Sequence, residues 1–149
     1  MIRNLTIKRG TATTLQFSFE VDPKTNEPSV NTTNLTISLL DKELKQYFKG
    51  KLKDFTVPVE FSGTDFQKKV WQELQNIHFG EYRSYQSQAD AMKRPKSVRA
   101  VANANSRNKI CLVIPCHRVI GKKLSLTGYA GGIERKAALL KLEGIELEF

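Results

Sequence analysis

Cys116 is followed directly by His117, and this pair combines residue types whose adjacency could do chemistry. A thiol is a strong soft nucleophile once ionised, and an imidazole can serve as its base. The pair lies in Ile114-Pro115-Cys116-His117-Arg118-Val119-Ile120, with Leu112 and Val113 ahead of it, so apolar residues close a polar trio on both sides. Pro115 fixes its own φ, lacks an N–H and pushes Ile114 toward extended geometry, which predicts a strand that stops abruptly and presents Cys116 at its tip. Free cysteine is also among the most buried residue types, so packing is the competing reading. The surrounding sequence has to decide.

The elements that must position this turn can be read from periodicity. Leu5 and Ile7, then Leu15, Phe17, Phe19 and Val21, alternate with polar residues and predict two half-buried strands with a turn at Arg9-Gly10. Residues 22–34, rich in Pro, Asn, Thr and Ser, read as a loop. Ile37, Leu40, Leu44, Tyr47 and Phe48 recur at helical spacing up to Gly50, and an extended stretch follows from Lys51 to Gly63. Thr64 and Gln67 form a capping box that opens a helix with Phe66, Val70, Leu74 and Ile77 as its core stripe, Trp71 as a packing residue and Gly80 as its stop.

Beyond Gly80, Ser84 is the expected N-cap of a short helix through Met92. Lys93 and Arg94 make a tight connection, and Pro95 opens a second short helix from about Lys96 to Ala104. The two helices have the size of a helix-turn-helix, and Ala100, Ala102 and Ala104 leave the second one narrow enough to approach a groove. Residues 110–114 are expected to form a buried strand running into the Cys-His turn. Gly121-Lys122-Lys123 is a basic loop, and the glycines around Tyr129 in residues 126–132 predict a loop whose backbone comes near a ligand. A last helix, from about Glu134 to Leu142, turns Ala138, Leu139 and Leu142 inward and ends at a C-cap, Gly144, before a strand at Ile145 and Leu147. The expected fold is α+β with two lobes. Residues 1–62 form a small structural α/β lobe without a chemical motif, and residues 63–149 form a mainly helical domain with the helix-turn-helix and the Pro-Cys-His-Arg turn.

Composition narrows the partners. At 16.9 kDa the chain can build one good core or two small lobes. No apolar run approaches the roughly 20 residues that cross a bilayer, and the first residues lack a signal peptide's apolar centre. The cytosol or nucleus is the expected location. Cys111 and Cys116 are then expected to stay reduced, and the Asn4, Asn31 and Asn34 sequons to be chance matches. The net charge is +9, with 24 basic and 15 acidic residues. It is uneven: 9 basic against 7 acidic residues through Ser62, 15 against 8 from Gly63 onward, and 10 basic residues against Asp90 alone between Arg83 and Lys123. That asymmetry favours a polyanionic partner, and the basic stretch is the one that carries the Cys-His pair.

Pro115-Cys116-His117-Arg118-Val119 resembles the active-site signature of the O6-alkylguanine-DNA alkyltransferases. The agreement runs from about Gly63 to Gly144. It includes Gly-Thr-x-Phe-Gln-x-x-Val-Trp at the capped helix, Phe-Gly-Glu-x-x-Ser-Tyr before the helix pair, Arg99-Ala100-Val101, and Leu-Thr-Gly-Tyr-Ala-Gly-Gly-Ile-Glu-Arg-Lys-Ala-Ala-Leu-Leu near the end. The first 60 residues match loosely, apart from Tyr-Phe-x-Gly-Lys at Tyr47 to Lys51.

The resemblance implies direct-reversal repair, in which the alkyl group of O6-alkylguanine, or of O4-alkylthymine, passes irreversibly to Cys116. Displacement at saturated carbon calls for a thiolate, so a base is needed. The family's relay makes His117 that base, acting through water, with Glu143 orienting it. Taken alone, Glu143 reads as a solvated helix end and His117 as surface or satisfied core. Tyr85 matches the donor to guanine N3, and Asn108 the asparagine that braces the turn. Val119, Tyr129, Ala130, Gly131 and Gly132 line the expected pocket.

Chemistry on a duplex base requires flipping, and Arg99 matches the residue that fills the vacated stack. Its helix is expected in the minor groove of double-stranded DNA, with Ser84, Lys93, Arg94, Lys96, Ala100, Arg107 and Lys109 as further contacts. A monomer without cofactor is implied. A zinc site is not expected, since its candidates would be Cys111, Cys116, His78 and His117. The chain departs from the family pattern at Lys93 and Asn103, where glycines are common, at Lys109, where many members have proline, and at Leu124, which replaces a turn glycine. The rival readings are a Cys-His hydrolase, a non-catalytic binder of alkylated DNA and a metal site at Cys111, Cys116 and His117.

Overall fold

The computed structural model describes residues 2–9, 16–21 and 30–146, with side chains described from residue 35 onward. Two antiparallel strands, β1 (Ile2–Arg9) and β2 (Gln16–Val21), form the N-terminal hairpin, with Leu5 opposite Phe19 and Ile7 opposite Phe17. The expected turn at Gly10 lies outside the described residues. Helix α1 (Val30–Phe48) follows. It begins within the stretch expected to be loop; residues 22–29 lie outside the described ones. Asn and Thr are weak formers of helix interior, but a helix anchored by a packed apolar stripe extends backward one hydrogen bond at a time.

Glu43 on α1 is buried and its carboxylate takes the backbone N–H groups of Thr56 and Val57 and the Thr56 hydroxyl. This fastens the connecting stretch to α1. Helix α2 (Asp65–Leu74) starts on the expected capping box, in which Thr64 Oγ1 accepts from Gln67 N and Gln67 Oε1 accepts from Thr64 N. It ends at Leu74, short of Gly80, because tight bonds from Gln75, Asn76 and Ile77 back to residues 72–74 replace helical ones. Ile77 stays in the core all the same, fully buried.

Helices α3 (Tyr85–Ala91) and α4 (Val98–Ser106) form the helix pair, with a short 3-10 turn at Pro95–Ser97 between them. They pack on one another and on α2. A reciprocal amide pair sets their spacing: Asn105 Nδ2 donates to Gln88 Oε1 at 2.7 Å, and Gln88 Nε2 to Asn105 Oδ1 at 3.3 Å. Both side chains are buried and fully engaged, so changing either would leave an unsatisfied polar group in the core. Trp71 is a packing residue: it is buried and its Nε1 donates to Ala104 O at 2.8 Å.

Residues 110–114 do not form the expected strand. Leu112 has φ +71, Ile114 N bonds back to Ile110 O at 2.9 Å, and the segment closes into a buried loop. A short apolar run reads the same in either case, because burial rather than period-two pairing decides its composition. Strand β3 (Arg83–Ser84) pairs in parallel with β4 (Val119–Ile120), which pins the Cys-His turn beside the start of α3. Helix α5 (Ile133–Leu142) buries Leu139 and half-buries Leu142, but Ala138 is exposed. Ile145 belongs to no strand, and Leu147 lies outside the described residues.

The fold is two-lobed α+β, a small strand-and-helix N-terminal lobe against a mainly helical C-terminal domain. One core joins Leu40, Leu44 and Tyr47 of α1 to Val70 and Leu74 of α2, Val101 of α4, and Ile114, Cys116 and Val119 of the turn. Among the described residues no helix is long and apolar enough to cross a membrane.

Candidate active site

Pro115 adopts φ −83 and ψ 62, an inverse γ conformation in which Cys116 N bonds to Ile114 O at 2.9 Å. The abrupt turn predicted at Pro115 is present, although a loop rather than a strand leads into it. A single 3-10 turn, Cys116–Arg118, follows, and all three of its residues are buried. Asn108, directly after α4, spans the turn: its Nδ2 donates to Ile114 O at 2.8 Å and to Cys116 Sγ at 3.2 Å, and its Oδ1 accepts from Ile110 N at 2.9 Å.

His117 is fully buried, and its Nε2 lies 2.9 Å from Glu143 Oε1. Glu143 follows the last residue of α5 and faces inward because the chain turns sharply there. Gly144, at φ +81, lets its own N–H and that of Ile145 return to Lys141 O and Leu140 O. Arg118 meets the same carboxylate with Nε to Oε2 at 2.8 Å and Nη2 to Oε1 at 2.9 Å, while its Nη1 donates to Ile77 O at 2.6 Å. Tyr47, from α1, donates its hydroxyl to Oε1 at 2.6 Å.

The electrostatics follow from burial. Burial alone would raise the Glu143 carboxyl, but hydrogen bonds from His117 and Arg118 outweigh it and lower the group to about 2. Glu143 is therefore ionised, which assigns the His117 proton to Nε2 and leaves Nδ1 with a free lone pair. Nδ1 has no partner among the described residues. Burial holds His117 below its ordinary range against the pull of Glu143, so the ring is neutral. Burial pushes the Cys116 thiol up, while the Asn108 bond and the Lys136 charge work in the opposite direction. The resting pair is a protonated thiol beside a neutral imidazole.

Lys136, on α5, is fully buried and donates to Val119 O at 2.5 Å and Thr127 O at 3.2 Å. Its ammonium lies 5.8 Å from the Tyr85 ring centroid and 6.0 Å from that of Tyr129, and burial lowers it to about 8. Tyr85 donates to Thr127 O at 3.1 Å, and burial together with Cys116 pushes its phenol up to about 12. Tyr129 Oη is buried without a partner among the described residues. A Cβ on Gly131 would come 2.7 Å from the Tyr129 ring, so the ring lies directly against that glycine.

Cys116, His117, Glu143, Asn108, Tyr85, Tyr129 and the Val119 carbonyl thus come together through direct contacts or shared partners. Ala130 and Gly132 are exposed in the adjoining loop. Ser84 caps α3 by accepting from Ser87 N at 3.0 Å. Arg99 and Ala100 are exposed on α4, and Lys93, Arg94, Lys96, Arg107 and Lys109 are exposed around the helix pair. Arg107 Nε bonds to Asn103 Oδ1 at 2.9 Å, and the Arg94 guanidinium lies 5.9 Å from the Phe66 ring centroid. The sequence reading missed three participants. Arg118 could have been suspected as a charge inside an apolar stretch, and Lys136 as a cation at an inward helix position. Tyr47 opens the Tyr-Phe-x-Gly-Lys stretch that resembles the family, but nothing in that stretch pointed its hydroxyl toward Glu143.

Comparison with known proteins places this geometry. The family described as 6-O-methylguanine DNA methyltransferase, DNA binding domain, matches residues 65–145. The constitutive methylated-DNA–protein-cysteine methyltransferase of Bacillus subtilis is 52% identical over 105 residues, which cover 70% of this chain and 64% of that protein. The Mycobacterium bovis methyltransferase of the same name is 52% identical over 101 residues, covering 68% of this chain and 61% of its own length. The aligned part thus spans less than two thirds of these curated relatives. Among solved structures, Mycobacterium tuberculosis OGT in complex with DNA superposes with a TM-score of 0.72 at 40% identity, covering 95% of this chain and 91% of that one. The family match runs through the Cys-His turn, the helix pair and the carboxylate behind the imidazole, and the chain belongs to the O6-alkylguanine-DNA alkyltransferase, or methylated-DNA–protein-cysteine methyltransferase, family.

Proposed function

We propose that this protein removes an alkyl group from O6 of guanine in double-stranded DNA and retains it on Cys116, once per molecule. The observation that carries the reading is a buried thiol, kept protonated at rest, beside a neutral imidazole whose far nitrogen is held by an ionised carboxylate. The Cys116 proton passes through water to His117 Nδ1, and Glu143 stabilises the imidazolium that forms. The thiolate attacks the saturated carbon, the S–C bond forms as the C–O6 bond breaks, and the electron pair leaves with guanine, which takes up a proton. A thioether is not hydrolysed, so the protein is consumed. Tyr85 is still protonated at neutral pH and can donate to guanine N3 as negative charge develops there. Val119, Tyr129, Ala130, Gly131 and Gly132 line the pocket.

The target base reaches this pocket by flipping out of the duplex. Arg99 fills the gap from α4 in the minor groove, and Ser84, Lys93, Arg94, Lys96, Ala100, Arg107 and Lys109 hold the backbone, with the protein acting as a monomer. Residues 1–62 serve as the supporting lobe and residues 63–149 as the DNA-binding alkyltransferase domain. The place of work is where DNA is, in the cytosol or nucleus. The names of the relatives support the reading, and one of them has been solved with DNA.

Intact-mass spectrometry after incubation with duplex DNA containing O6-methylguanine tests it. One methyl per chain, located on Cys116 and absent in Cys116→Ala, is expected. Unmodified protein under binding conditions, or methyl on Cys111, overturns the proposal.

A further inference from the structure

We propose that Tyr47, on the N-terminal helix, is a positioning residue of this active site, whose hydroxyl shares a carboxylate oxygen with His117 and so keeps the imidazole available as the base for Cys116. The inference rests on the alkyl-transfer reading and extends it to the N-terminal helix, ahead of the domain at residues 65–145.

Glu143 Oε1 receives three donors, Tyr47 Oη at 2.6 Å, His117 Nε2 at 2.9 Å and Arg118 Nη2 at 2.9 Å. Each donor draws on the same negative charge, so each weakens the pull on the others. A carboxylate that faced His117 alone would orient the ring but would also drive it toward imidazolium, which cannot accept the Cys116 proton. With the charge shared, Glu143 orients His117 without protonating it at rest. The charges that face the ring are Glu143, which favours its protonation, and Arg118 and Lys136, which oppose it. Tyr47 acts by moderating the first of these, and it is a dependable donor because burial and Glu143 both hold its phenol far above the ordinary range.

The tyrosine is also built to stay in place. It is fully buried, with ring centroids of Phe48 and Phe55 at 5.3 Å and of Phe79 at 6.1 Å. Packing accounts for the ring, but an apolar pocket needs no hydroxyl, and this one contacts a carboxylate 96 positions away in sequence.

Tyr47→Phe keeps the ring and removes the hydroxyl. In a background carrying His78→Gln, His117 is the one imidazole left, so its protonation can be followed by NMR in the full chain without any substrate. Single-turnover transfer from a free O6-benzylguanine base gives the pH profile of the chemistry without DNA docking. Tyr47→Phe is expected to raise the pH at which His117 protonates, and the acid limb of the transfer profile, by on the order of half a unit to one unit. Both are measured well below the variant's unfolding temperature. Superimposed NMR titrations and rate profiles would make Tyr47 a packing residue and overturn the inference. Absence of transfer by the parent protein at every pH would count against the alkyl-transfer reading, and the NMR titration would still judge Tyr47.

Discussion

Cys116 is balanced between opposing influences. Burial disfavours the thiolate, while one hydrogen bond from Asn108 and the positive charge of Lys136 favour it. A thiol held this way resists adventitious oxidation and alkylation, and in the proposed function it ionises once His117 takes its proton. Lys136 makes a specific prediction at this scale. Lys136→Met keeps the length of the side chain and removes the charge, so the thiol should move further up. Alkylation of Cys116 by iodoacetamide, mapped by mass, should then slow severalfold at neutral pH, with its profile displaced to higher pH. An unchanged profile would mean that Lys136 acts only through the Val119 and Thr127 carbonyls. Arg118 has a different role, since without it Glu143 would be a buried charge lacking its main counter-ion.

At the scale of elements, helix ends place the working residues. Helix α5 closes with Gly144 in the left-handed region, which leaves Glu143 facing His117. Helix α3 closes the same way, with Lys93 N bonded to Asp90 O at 2.8 Å and Arg94 N to Ala89 O at 2.9 Å, but its left-handed residue is Lys93 at φ +56. An L side chain there costs about 1 kcal/mol relative to glycine. The departure from the family pattern at Lys93 therefore leaves the turn intact and adds strain, together with an exposed positive charge beside the helix pair. Lys93→Gly should stabilise the fold by roughly 0.5–1 kcal/mol in urea unfolding. The same variant should bind duplex DNA more weakly, with a shallower salt dependence. Tighter binding would remove Lys93 from the proposed DNA contacts. Leu124, at φ +61, is a second such position, where another usual glycine is missing.

At the scale of the molecule, the cluster at the candidate active site also helps to hold the lobes together, because Tyr47 comes from α1 and Glu143 from the C-terminal domain. Glu143 links this contact to pH. Its folded carboxyl lies near 2, below its ordinary 4.5, so the unfolded chain binds the proton more readily. The stability it contributes is fully present above about 4.5 and is lost as pH falls toward 2. Urea midpoints should fall across this window, and Glu143→Gln should flatten that limb. At neutral pH the variant should be less stable by about 3–5 kcal/mol, because Arg118 is left buried without its counter-charge.

The sequence by itself determined what depends on local chemistry. The capping box at Thr64, the turn at Pro115, the short helix pair and the left-handed cap at Gly144 are each written in a few adjacent residues, and each is present. The Cys-His pair needed no structure to be singled out, and its family followed from motifs spread over the chain from Gly63 onward. Misreadings arose where composition reports burial rather than conformation. The apolar run at residues 110–114 satisfies a strand and a buried loop equally, and the polar start of α1 holds weak formers of helix interior although the helix extends into it. Tertiary structure alone decided how the site is charged. Tyr47, His117, Arg118 and Glu143 meet only because α1 and α5 pack around the turn, and Lys136 becomes a buried cation only there. The reason is physical: a hydrogen bond across 96 residues depends on how helices pack, and leaves no local mark in the sequence.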